Sequence, residues 1–137
     1  CKAIRYRLQW PQARGEARVP ARQCSCSFCQ RIDGVWTSHP EARLEIYEST
    51  RRPATRYRFG TETADFLFCS ECGITPLVIC QLDGRDHAVV NVNTFDPAEE
   101  PGFEFEASTS DFDGESVDER LARRQARWIG NVEWRHG

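Results

Sequence analysis

The sequence contains no methionine at all, and from this we expect the natural polypeptide to extend upstream of Cys1. Long apolar runs are also missing. None approaches the ~20 residues that a membrane span needs, and the opening stretch CKAIRYRLQW alternates polar with apolar residues where a secretory leader would carry an unbroken apolar core. The expectation is a soluble, unexported, cytoplasmic protein with no membrane partner. Charge of one sign is scarce too. Lys and Arg number 18 against 21 Asp and Glu, a net charge of -3, which is too even for a general phosphate-binding surface or for charge-driven disorder. Nucleic acid is therefore not the expected partner. Only 3 histidines are present: His39 reads as a strand-end or turn residue, His87 as the opening of a strand, and His136 as part of a frayed tail.

What remains is an ordinary globular composition, 39% hydrophobic and 11% aromatic over 137 residues, which predicts a single domain over residues 1–137. Ile4, Tyr6, Leu8 and Trp10 alternate with Arg5, Arg7 and Gln9, the period of two of a half-buried strand, and Pro11 ends it. VWTSH, RLEIYE, TRYRFG and ADFLFC also read as short strands. ITPLVIC and HAVVNVN read as a hairpin turning at Asp83 and Gly84. Such spacing predicts a mainly β, antiparallel domain with Ile4, Tyr6, Leu8, Leu67, Val78, Val90 and Val92 in its core. The acidic stretch after Val92 reads as a surface loop with one short strand over Phe103–Phe105. One helix is expected, near the C-terminus: Ser116 and Glu119 form a capping box, and Val117, Leu121 and Trp128 share a face. Arg120, Arg123, Arg124 and Arg127 on that helix read as a solvated surface.

Chemistry concentrates in the cysteines, of which there are 7. They fall into Cys24-x-Cys26-x2-Cys29, Cys69-x2-Cys72, a lone Cys1 and Cys80, whereas disulfide frameworks spread their cysteines to staple distant loops. The clustering points to thiolate metal sites in a reducing compartment. Tetrahedral zinc holds each sulfur at about 2.3 Å, and a tight Cys-x2-Cys turn can present two thiolates to one ion. CSECG fits such a knuckle, with Gly73 free to adopt positive φ. CSCSFC could bring three thiolates to one ion, and three protein ligands with an open fourth position is the arrangement that performs zinc chemistry. Spacing alone leaves this open against a closed structural site completed by Cys80, His39 or His87. A single four-cysteine ribbon of Cys26, Cys29, Cys69 and Cys72 fits less well, because its central segment far exceeds the usual ~15–20 residues and Cys24 is left idle.

CKAIRY, CSCSFCQRIDG, YRFGTETADFLFCSECGI and VVNVNTFD, in this order, resemble the glutathione-dependent formaldehyde-activating enzyme family, which includes the centromere-protein V group. The resemblance runs from residue 1 to about residue 96 and implies a β-tent fold with two zinc ions, one structural and one at the active site. It implies that Cys24, Cys26 and Cys29 hold the active-site zinc and that Cys1, Cys69 and Cys72 belong to the structural ion, whose remaining ligand lies upstream of Cys1. Lys2 departs from the family's usual glycine. Cys80 is the alternative for that remaining ligand, although it reads better as a small buried residue on its strand. The implied activity is that of a carbon-sulfur lyase joining a thiol, glutathione, to formaldehyde or a related aldehyde; Arg22 and Arg31, which flank the cluster, are the candidates to meet glutathione carboxylates. A non-catalytic zinc-stabilised binding or scaffold module is the alternative. Metal analysis of the purified chain separates the cysteine arrangements: two zinc ions per chain are expected for separate sites, and one for a ribbon.

Overall fold

The computed structural model describes residues 1–13, 16–96, 98 and 104–137. Along the chain lie β1 (Ile4–Gln9), β2 (Arg18–Cys24), α1 (Ser27–Ile32), β3 (Val35–Thr37), β4 (Arg43–Glu48), β5 (Thr55–Tyr57) and β6 (Asp65–Phe68). The hairpin β7 (Leu77–Leu82) and β8 (Arg85–Asn91), β9 (Glu104–Ser110), α2 (Val117–Arg127) and β10 (Asn131–His136) follow. Among the described residues, ten strands form two sheets: a smaller one in the order β1-β4-β10 and a larger one in the order β5-β6-β7-β8-β3-β2-β9. The mainly β architecture expected from the sequence is present. Among the described residues, no helix is long and apolar enough to cross a membrane.

The period of two in β4 drives the smaller sheet against the larger. Leu44, Ile46 and Glu48 point inward while Arg43, Glu45 and Tyr47 are less buried. Leu44 lies opposite Leu8 on one side and Val132 on the other, and Ile46 lies opposite Tyr6 and Trp134. Together they pack on Leu67, Leu77, Ile79, Ala88 and Val90 from the larger sheet. Glu48 is only 5% exposed, yet its carboxylate accepts the Ala54 N–H at 2.8 Å and faces the Arg56 guanidinium at 3.4 Å. A buried carboxylate so paired keeps its partners in place of water.

A second core covers the other face of the larger sheet. Along β7, Leu77 and Ile79 enter the first core while Val78, Cys80 and Leu82 enter the second, beside Trp36, Val89 and Trp128. A strand covered on both faces reads as a nearly continuous apolar run, as LVIC does. Asp83 and Gly84, with φ of 51° and 75°, make the predicted hairpin turn.

Several expectations change. His136 is not frayed, because the C-terminal residues form β10, paired in parallel with β4 so that His136 lies opposite Glu48. A second parallel pairing joins β2 to β9. Val92 is half-buried in a 3-10 turn over Val92–Thr94, since the chain leaves the sheet at Asn91. The strand expected over Phe103–Phe105 is β9, and Phe103 lies outside the described residues. Val117 is 46% exposed, although the helix face was expected to bury it. Because Ile46 is fully buried at the middle of its sheet, Ile46→Ala is expected to cost about 2–5 kcal/mol and Ile46→Val about 0.5–1.5 kcal/mol. Urea unfolding checks this, with the midpoint falling and the slope unchanged.

Candidate metal centre

Cys24 closes β2, where its pairing with Ser110 of β9 and the Ser25 N–H to Ser110 carbonyl bond at 2.9 Å hold the strand end. The chain then turns at once into a helix. Cys26 is the N-cap of α1, its Sγ accepting the Cys29 N–H at 3.3 Å, a role usually taken by a hydroxyl or carboxylate. One helical turn carries Cys29 back beside the other two. At the far end Asp33 adopts φ of 52°, and the Gly34 N–H bonds the Cys29 carbonyl at 2.9 Å. The thiol sulfurs of Cys24, Cys26 and Cys29 lie within 4.8 Å of one another, close to the roughly 3.8 Å edge of a tetrahedral zinc-sulfur site.

The second cluster is built from a knuckle. Cys69 follows β6, Gly73 with φ of 76° donates its N–H to the Cys69 carbonyl at 2.9 Å, and the Cys69 N–H bonds the Ile74 carbonyl at 2.8 Å. Cys1 comes in from the start of the chain, its Sγ 3.2 Å from that of Cys69 and 3.4 Å from that of Cys72. Cys26 and Cys29 therefore share no site with Cys69 and Cys72, which excludes the single ribbon. Among the described residues, no fourth cysteine, histidine or carboxylate joins either cluster. Cys80 is buried in β7, where its sulfur accepts from Arg124 Nη1 at 3.5 Å. His39 accepts the Glu41 N–H, and His87 packs within hydrogen-bond reach of the Arg85 carbonyl. Both donor sets are soft thiols in a metal-sized triangle, so they fit zinc.

Electrostatics prepare the Cys24 cluster for a cation. The hydrogen bond from Cys29 pulls the Cys24 thiol down to about 6, against burial and with help from the Cys26 backbone and the Arg123 charge. The same bond and burial push the Cys29 thiol far above the ordinary range. At Cys69 burial opposes ionisation, but backbone N–H groups of Cys72 and Glu71 outweigh it and lower the pKa.

Cys24, Cys26 and Cys29 open into a cavity of about 810 Å³. Trp36, Phe59, Phe66 and Trp128 give it an aromatic side. Guanidiniums line it as well: Arg22 from β2, and Arg120, Arg123, Arg124 and Arg127 from α2. Arg22 donates to Ser38 Oγ at 2.7 Å, Arg124 to Thr63 Oγ1 at 2.7 Å, and Arg123 to Glu115 at 2.9 Å while lying 3.6 Å over the Phe112 ring. Burial, reinforced by Arg123 and Arg127, pushes the Arg22 pKa down. Arg31 sits exposed in the last turn of α1 and does not line the cavity.

The α2 arginines are the residues that sequence reasoning misjudged. Arg124 was assigned to a solvated face, yet it is 7% exposed, and Arg120 and Arg123 are half-buried. A signal was present: Arg124 stands three residues after Leu121 and four before Trp128, on the apolar stripe. Arg127 alone remains exposed.

The family model of the glutathione-dependent formaldehyde-activating enzyme matches residues 1–111, spanning both cysteine clusters and stopping short of α2. No curated protein matches the chain. Among solved structures, a crystal structure of a Rhodobacter sphaeroides protein from structural genomics is 27% identical, covering 77% of this chain and 94% of its own, with a TM-score of 0.51. Its fold is thus shared, while its title gives no activity. Because the matched profile takes in both thiol triangles and most of the chain, the protein belongs to the glutathione-dependent formaldehyde-activating enzyme family.

Proposed function

We propose that this chain is a zinc-dependent carbon-sulfur lyase that joins a thiol such as glutathione to formaldehyde or a related aldehyde. The observation that carries this reading is the convergence of Cys24, Cys26 and Cys29 at one end of a large cavity, with no fourth protein ligand among the described residues. In this reading these three cysteines hold the reactive zinc, while Cys1, Cys69 and Cys72 hold a structural one. When bound at a three-thiolate site, zinc supplies a Lewis acid that keeps an incoming thiol deprotonated near neutral pH. The new bond joins thiol sulfur to carbonyl carbon, and the proton given up by the thiol ends on the carbonyl oxygen. The product is a hydroxymethyl thioether, and the reverse reaction returns both reactants.

The chain's own groups would do the rest. The aromatic side of Trp36, Phe66 and Trp128 limits water around the sulfur. Arg22, fixed by Ser38 two residues before Cys24, is placed to hold an acidic group of the thiol. Arg31 would act only through an extended ligand, being outside the cavity lining. A reducing, cytoplasmic setting suits so many free thiols.

Two substitutions separate the metal roles. Cys72→Ser removes a ligand that ties the start of the chain to β6, and metal binding at such a site is folding energy on the order of 10 kcal/mol. That variant is expected to be insoluble or unfolded. Cys29→Ser is expected to stay folded, bind about one zinc fewer and lose thiol-dependent activity. Metal content, circular dichroism and hydroxymethyl-thiol formation are the measurements. If both variants unfold alike, the Cys24 cluster is structural and the lyase reading fails.

A further inference from the structure

We propose that the aldehyde taken by this cavity carries a large apolar substituent, an aryl or arylalkyl group, which lies along a row of rings that starts at the Cys24, Cys26 and Cys29 cluster. The proposal rests on the thiol-aldehyde reading above and adds the class of its second reactant.

The row begins at the thiols. Trp36 stands beside Cys29 in the second core, the Phe66 ring meets the Trp36 indole edge-on at 6.0 Å, and the Phe59 ring lies 5.1 Å from that of Phe66. All three line the cavity, as do Val78, Val89 and Trp128. Local structure holds the rings in place before any ligand arrives. Phe28, between Cys26 and Cys29 on α1, packs 4.8 Å from Phe66 and 5.0 Å from Phe59, so the helix that carries two of the thiols also backs the rings. A Cβ on Gly34 would come within 2.8 Å of the Trp36 ring, so the indole fills the space that this glycine leaves. A wall fixed in this way offers contact with little to reorder on binding.

Formaldehyde has nothing to set against such a wall. Its carbonyl carbon bears only hydrogen, so neither the rings nor a cavity of about 810 Å³ is called for on its account. The guanidiniums that line the cavity are met by Asp111, Asp113 and Glu115, by the thiolates and by the acidic group of the thiol, which leaves no call for charge on the aldehyde. Two substituents leave the new bond, one on sulfur and one on carbon. The sulfur pair attacks the carbonyl carbon, the C=O π pair moves to oxygen, and oxygen takes up the proton that the thiol released. With the polar substituent of sulfur held by guanidinium, the apolar substituent of carbon is the one left to meet Trp36, Phe66 and Phe59. Burying one phenyl group there removes enough apolar surface for roughly tenfold tighter binding or more.

Hemithioacetal formation by the zinc-loaded protein, with glutathione fixed and the aldehyde varied, tests this through NMR exchange between free and thiol-bound aldehyde. KM for phenylacetaldehyde is expected to lie at least about tenfold below that for acetaldehyde. Phe59→Ala should raise the first severalfold and leave the second, whereas Phe68→Ala, in the same aromatic cluster but outside the cavity lining, should change neither. Phe59 is half-buried and outside the strands, so its variant carries little risk to folding, and Phe66→Leu removes a second ring while keeping an apolar side chain. Equal KM values, an advantage untouched by both variants, or a Phe59-dependent preference for benzyl mercaptan over 2-mercaptoethanol overturns the proposal. Saturation-transfer NMR with unreactive 2-phenylethanol separates the two readings. If no aldehyde is converted, yet 2-phenylethanol binds and Phe59→Ala abolishes that binding, the lyase reading fails and the apolar subsite stands; with neither conversion nor binding, both fall.

Discussion

Everything in this molecule depends on two strands being covered on both faces. Successive side chains of β7 and β8 must point to opposite sides of the sheet, so Leu77, Ile79, Ala88 and Val90 demand one cover and Val78, Cys80, Leu82 and Val89 another. The small sheet answers the first demand, with Leu44 and Ile46 at its centre. The second is answered by Trp36, Trp128 and the α1 region, which also border the Cys24, Cys26 and Cys29 thiols. The cavity is therefore bordered by the second core, with Trp36, Val78, Val89 and Trp128 in both.

Charge of opposite sign is crowded at the site. Three thiolates on a divalent ion would carry excess negative charge, and the guanidiniums that line the cavity would offset it. Arginine suits this position because its long stem packs against apolar neighbours while the guanidinium reaches inward. Arg124 stacks near Trp128 at 5.0 Å and Arg123 covers the Phe112 ring. Arg124 thus serves the second core through Trp128 and the cavity with its charge.

Much of this was legible from residue order. A period of two located β1, short strand-like runs located β4 and β6, the turn at Asp83 and Gly84 located the β7–β8 hairpin, and cysteine spacing separated a knuckle from a denser triad. What escaped the sequence escaped for physical reasons. Helix α1 has six residues and a sulfur N-cap, so neither helical periodicity nor an ordinary capping residue announces it. Strand β10 pairs with a strand some ninety residues earlier, as in Val132 with Leu44, and parallel pairing over such a span leaves no local turn signal. Arg124 was read by its charge, when its place between Leu121 and Trp128 should have been read by its face.

The pairing of β10 also bears on how the molecule comes to be assembled. Ile4 and His136 flank Glu48 on either side, so strands from opposite ends of the chain are neighbours of the same central strand, about 10 Å apart at a strand spacing of ~4.8 Å. A growing polypeptide can form the larger sheet and the β1-β4 pair before β10 is made, but β4 keeps one open edge until Asn131–His136 emerge. Contacts of such long sequence separation form slowly, and an unpaired edge invites other strands in the meantime. Strand β10 is thus the one that closes the small sheet, and the nascent chain is most exposed to faulty association until that strand has paired.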